Sequence, residues 1–257
     1  MQLSSAEIGG LLGVYLWPFL RIGGMLFAIP VFGTRMMPVR IRIMLTLVLT
    51  VVIAPVLPAS PDIDIISLTG VLTAIQQLLA GLVMGFVLQM VFSALVMAGE
   101  YIAMSMGLGF ASLVDPANGV NVPVVSQFYV IVASLLFLAL NGMLLLTHLL
   151  IQSFQLLPVG IDLLGKDAWW TLVTWGSHMF IGAVLIAVPI VSILLLAYVA
   201  LGVMTRAAPQ LNIFSVGFPV TLMLGFIAML LTLEGFSSRF QQLLLDGFQL
   251  IPVLLQR

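Results

Sequence analysis

Apolar residues run along this chain in long blocks with few polar interruptions. The blocks give about six segments: Ile8 to Phe32, Ile43 to Leu57, Ile65 to Met97, Val122 to Ile151, Trp169 to Val203 and Ile213 to Leu233. Blocks of this kind predict an all-α fold of hydrophobic, membrane-associated helical hairpins. Their lengths do not match one bilayer. At 1.5 Å per residue the second reaches about 22 Å and the third about 50 Å, against a hydrocarbon core of about 30 Å. Tilt and local thinning absorb modest mismatch only, so some segments are predicted to be covered by protein instead of lipid. A last stretch, Phe240 to Leu255, has Asp246 and the preceding Arg239 among its few polar groups and is predicted as an amphipathic interfacial or docking tail.

Composition narrows the class. Of 257 residues 62% are hydrophobic and 7% charged, which fits a polytopic membrane protein or a subunit of one. No linker, charge run or low-complexity tract divides the chain, so a single functional domain is expected. A net charge of −1 gives no electrostatic case for nucleic acid. The absence of cysteine excludes a disulfide framework and thiolate metal sites. Met1 to Ser5 has no basic region and no A-x-A-like site follows, so no cleavable signal is expected. Arg35, Arg40 and Arg42 follow the first run, whereas Asp62 and Asp64 follow the second. The positive-inside rule then puts the first loop in the cytoplasm and, with six crossings, the connection at Arg206 there too.

Three places depart from the apolar pattern. Between Gly202 and Pro219 the chain places Arg206, Pro209, Gln210, Asn212, Phe214 and Gly217 between two apolar runs. This reads as a hairpin connection, serving either as an orienting turn or as a contact site. Arg21 lies inside the first run. It costs about 2.5 to 3.5 kcal/mol there, which a dozen apolar residues outweigh; it either snorkels or, as expected here, forms a buried pair with an acid such as Glu100. The third place is Gly99 to Pro116, with Glu100, Met104, Met106 and Phe110 ahead of the Asp115-Pro116 turn. Read from the residues alone, the methionines are gap-filling core or a deformable seal.

Small residues at four-residue spacing, Gly81 with Gly85 and then Gly99, Ala103 and Gly107, share helix faces where backbones approach closely, so helix packing and assembly are expected of them. Catalytic readings have no support. The chain has no H-E-x-x-H, G-x-S-x-G, Walker A or G-x-G-x-x-G motif, and His148 and His178 read as packing or interface residues. Neither an enzyme nor a cofactor or metal is expected.

The ordered set Gly99-Glu100, Gly107, Phe110-Ala111, Asp115-Pro116, Pro123, Asn141-Gly142, Arg206, Pro209-Gln210, Asn212, Phe214, Gly217 and Pro219, with Arg21, Pro30-Val31-Phe32 and Pro38, resembles the FliR family of the flagellar type III export gate over essentially the full length. Ala103 stands where that family commonly has Gly, and Met143 where His is frequent. The resemblance implies a FliP-like portion (residues 1–158) with a pore loop at about 104–122, a FliQ-like hairpin (159–233) and a C-terminal tail (234–257). It implies an assembly in the bacterial inner membrane and flagellar basal body, largely above the bilayer plane. FliP-like, FliQ-like, FlhB-like and FlhA-like partners would surround it, with membrane lipid and unfolded flagellar subunits as cargo. Met104, Met106 and Phe110 would then seal a conduit. Arg21, Glu100, Asp115, Pro116, Arg206, Pro209, Gln210, Asn212 and Phe214 would make partner or assembly contacts. The alternatives are the equivalent subunit of a virulence secretion system and a small-molecule transporter, the latter needing convergent midplane polar groups.

Overall fold

A computed structural model of the chain describes residues 5–30, 38–61, 63–109, 124–162, 164–207 and 213–256, and of residues 5–12 and 213–216 the backbone alone. Among the described residues it is all-helical. The order is α1 (Ser5–Ala28), α2 (Val39–Ile53) followed by a 3-10 turn (Ala54–Val56), α3 (Leu68–Ser105), α4 (Val124–Ala139), α5 (Gly142–Leu156), α6 (Lys166–Ala207) and α7 (Ile213–Leu255).

The apolar runs do not map one to one onto helices. The run Val122 to Ile151 is two helices, because Asn141 takes a left-handed φ of 55° that an α-helix does not continue through. Its carbonyl then accepts from the N–H groups of Leu144 and Leu145 at 2.9 and 3.1 Å and starts α5. Conversely, Ile213 to Leu233 and the tail Phe240 to Leu255 are one 43-residue helix. The polar stretch Glu234 to Arg239 interrupts hydropathy but contains no proline, so the backbone runs on. Four helices are long and apolar enough to cross a membrane, namely α2 with its turn, α3, α6 and most of α7; a fifth crossing results if α4 and α5 are one broken span. In α1 the apolar stretch Gly13–Ala28 falls short of that length.

The chain divides into two compact units, one of Met1–Met90, Leu138–Gly176 and Leu244–Arg257, the other of Val91–Phe137 and Ser177–Leu243. In the first, α1 lies backbone to backbone on α3. A methyl at Gly24 would stand 2.6 Å from the Leu78 carbonyl oxygen, and methyls at Gly81 and Gly85 would meet the backbone of Arg21 and Met25. Trp17, Ile22, Leu26, Met84 and Leu88 fill the space beside this contact. In α2 the usual polarity is inverted. Thr46 and Thr50 are buried, while Met44, Val48, Val51 and Val52 are exposed. The hydroxyls tolerate burial because each donates to a carbonyl one turn back, of Arg42 at 2.8 Å and of Thr46 at 2.7 Å.

The second unit is organised by aromatic rings. Phe92 meets Phe137 and Phe240 edge-on at 6.3 and 5.9 Å, and Tyr129 meets Phe236 at 4.8 Å, within the range where rings attract beyond simple burial. The α3 and α4 backbones close on each other at Gly99, where a methyl would stand 2.6 Å from the Ser126 amide nitrogen. Outward, α6 shows Leu195, Leu196, Val199 and Val203, and α7 shows Met223, Leu230 and Leu231. Surfaces this apolar are covered by lipid or by other protein.

Candidate functional site

Two places gather the unusual residues, one in each unit. In the first unit Arg21 is fully buried. Its Nε donates to Gln77 Oε1 at 2.8 Å, Nη1 to Ser153 Oγ at 3.1 Å and Nη2 to the Leu157 carbonyl at 2.8 Å. The Phe154 ring lies 3.9 Å from the guanidinium carbon. These acceptors are neutral, in place of the Glu100 carboxylate expected from sequence. The cationic head sits at the C-terminal end of α5, where unsatisfied carbonyls carry roughly half a negative charge and a buried cation is stabilised by that dipole. A helix end here takes the role anticipated for an acid.

The network continues. Gln77 Nε2 donates to Gln76 Oε1 at 2.6 Å, and Gln76 Nε2 donates to the carbonyls of Pro158 and Asp162 at 3.2 and 2.8 Å. Gln76 Oε1 also accepts from the Gly160 N–H at 3.1 Å. Arg21 of α1 thereby ties α3 to the end of α5 and to the segment that follows it. Sequence reasoning misses Gln76 and Gln77. Two adjacent amides inside a 38-residue apolar helix are the available signal, since such groups cannot lie unpaired in an apolar interior.

In the second unit the site is the C-terminus of α3. Gly107 adopts φ 87°, and the Leu108 N–H returns to the Ala103 carbonyl at 3.0 Å, closing the helix as a left-handed glycine cap. Two hydroxyls hold the last carbonyls. Tyr198 of α6 donates to the Ser105 carbonyl at 2.9 Å and Thr221 of α7 to that of Met106 at 3.3 Å. Met106 is fully buried, and a methyl at Gly225 would come within 2.6 Å of its Cγ. The Met106 side chain occupies the space that Gly225 leaves on α7. Met104, two residues earlier and so rotated well around the helix, is 70% exposed.

Of the other residues singled out, Ala103 is buried and Glu100 half-buried on α3, and Arg206 is exposed in the last turn of α6. Phe214 lies in the first turn of α7 with its backbone alone described. Phe110, Asp115, Pro116, Pro209, Gln210 and Asn212 lie outside the described residues. Among the described residues no group of three His, Asp or Glu side chains comes together as metal ligands would.

The fold and these sites define a polytopic, apolar, all-helical protein in which buried polar side chains act as helix-end clamps. The chain belongs to the bacterial export proteins, family 1, matched over residues 12–247, and within it to the FliR proteins. It is 40% identical over 225 residues to the flagellar biosynthetic protein FliR of Escherichia coli K12, covering 88% of this chain and 86% of that one. It is 39% identical over 241 residues to FliR of Pectobacterium carotovorum, covering 94% and 92%. With FliR of Bacillus subtilis it shares 32% identity over 223 residues, covering 86% of each.

Proposed function

We propose that this chain is a structural subunit of the flagellar type III protein export gate, lining and sealing a conduit for unfolded flagellar proteins in the bacterial inner membrane. The similarity to FliR proteins over most of both chains carries the reading. In this reading residues 1–158 are FliP-like, residues 159–233 form a FliQ-like hairpin and residues 234–257 a tail, all serving one function. FliP-like and FliQ-like subunits are its partners in the assembly, and FlhB-like and FlhA-like proteins are further partners.

The mechanism is passive. The clamps at Arg21 and at the end of α3 hold helices rigidly, while Met104, exposed on the last turn of α3, and Phe110 close the conduit. Thioether side chains adapt to many shapes, so they suit a seal that yields to a passing chain and closes again. Motive force comes from the partners and the proton gradient. The wall and contact roles of Glu100, Asp115, Pro116, Arg206, Pro209, Gln210, Asn212 and Phe214 belong to this proposal.

Co-expression with FliP-like and FliQ-like subunits, followed by detergent extraction and identification of what co-purifies, tests it. A stable assembly with both subunits is expected. A monodisperse, protease-resistant protein obtained alone, with neither subunit bound when both are present, overturns it.

A further inference from the structure

A cavity of about 520 Å³ in the second unit is lined by Tyr129 of α4, Leu185 and Pro189 of α6, and Glu234, Ser238 and Arg239 of α7. Glu234 and Arg239 are exposed, and among the described residues neither has an ion-pair partner. A carboxylate and a guanidinium standing apart in one cavity on an otherwise apolar hairpin suit a ligand bearing both charges. Pro189 sharpens the case. It has no N–H to give the carbonyl of Leu185 one turn earlier, and both residues line the cavity. That carbonyl and the Glu234 carboxylate suit an ammonium group. The Arg239 guanidinium, with the hydroxyls of Tyr129 and Ser238, suits a phosphate.

The adjoining surface supplies the rest of the ligand. On α7 the residues Met223, Ile227 and Leu231 are exposed and precede Glu234 and Ser238 at helical spacing, so one face changes from apolar to polar along its length. On α6 Leu185 and Val188 are exposed beside the cavity. We propose that this cavity binds the headgroup of an aminophospholipid, phosphatidylethanolamine in chemistry, with its acyl chain along Met223, Ile227 and Leu231. The proposal goes beyond the export reading and does not depend on it. An anionic lipid without an amine, such as phosphatidylglycerol, has no ammonium for Glu234, and a partner's basic side chain would leave Arg239 without a counter-charge.

The test uses the protein as purified from membranes, with whatever subunits accompany it, delipidated in mild detergent and titrated with dioleoyl phosphatidylethanolamine or dioleoyl phosphatidylglycerol, with bound lipid read by native mass spectrometry. Retention of the ethanolamine lipid over the glycerol lipid by the unaltered protein is expected, a comparison that needs no variant. Glu234→Gln is expected to weaken ethanolamine-lipid retention about tenfold, the worth of one charge-assisted hydrogen bond, and to leave the glycerol lipid unchanged or tighter. Equal retention of both lipids, indifference to Glu234→Gln, or a cross-link from position 234 to a partner's lysine that excludes lipid each overturns the proposal.

Discussion

Arg21 on α1 and Gln77 on α3 are joined by a 2.8 Å hydrogen bond across 56 residues of chain, and both side chains are buried. Removing the guanidinium orphans Gln77 Oε1 and the Leu157 carbonyl at once. Arg21→Ala is therefore expected to cost about 3 to 5 kcal/mol, as for a broken buried polar network. Arg21→Lys keeps the charge but loses the planar fork, so it recovers only a fraction of that. Thermal unfolding of the purified assembly measures the order; an Arg21→Ala assembly as stable as the unaltered one removes the network from the account.

Glycine positions separate by what stands over them. A methyl at Gly81 meets the Arg21 backbone carbonyl, which cannot swing away as a side chain can, whereas a methyl at Gly176 of α6 meets nothing within 4 Å. Gly81→Ala is expected to destabilise by about 1 to 3 kcal/mol or more through forced separation of α1 and α3. Gly176→Ala is expected to stabilise by about 0.5 to 1 kcal/mol through helix propensity alone. Assembly yield and melting temperature of the two variants, compared side by side, check the sign.

How much of this is legible in the sequence follows from what each signal depends on. The all-helical class rests on block hydropathy, a local property, and shows directly. Helix limits are harder to read. Proline and glycine mark breaks, but the α4 to α5 break comes from the left-handed Asn141, and the unbroken α7 passes through charged residues that hydropathy treats as an end. The Arg21 partner escapes for a different reason. Sequence logic seeks an acid for a base, but the compensating charge is the end of helix α5, which exists only once α1, α3 and α5 are packed. Likewise Met104 and Met106 fall on different sides of one helix end, but which of them turns inward is set by the glycine on α7.

The connection between α6 and α7 is expected on the cytoplasmic side, from the basic residues Arg35, Arg40, Arg42 and Arg206 and the acidic ones at Asp62 and Asp64. The chain has no cysteine, so single replacements report cleanly. Gln210→Cys and Ala59→Cys, the latter at an exposed position, should label from opposite faces of the membrane with an impermeant maleimide. Labelling of both from the periplasmic face rejects the orientation.

The seal makes the sharpest demand, because Met104 and Met106 differ by two residues and by everything else. Met106→Ala empties a buried site and is expected to cost about 2 to 5 kcal/mol, lowering assembly without opening a leak. Gly225→Ala alone forces its methyl against Met106, so combining it with Met106→Ala should recover some of the loss, a coupling that a double-mutant cycle reads directly. Met104→Ala removes an exposed side chain and is expected to change stability by no more than about 0.5 kcal/mol. If Met104 closes a conduit, its removal leaves assembly intact and makes cells permeable to small ions. The decisive plot sets ion leak against yield of assembled complex for each variant. A Met104→Ala strain with full assembly and no leak takes Met104 out of the seal.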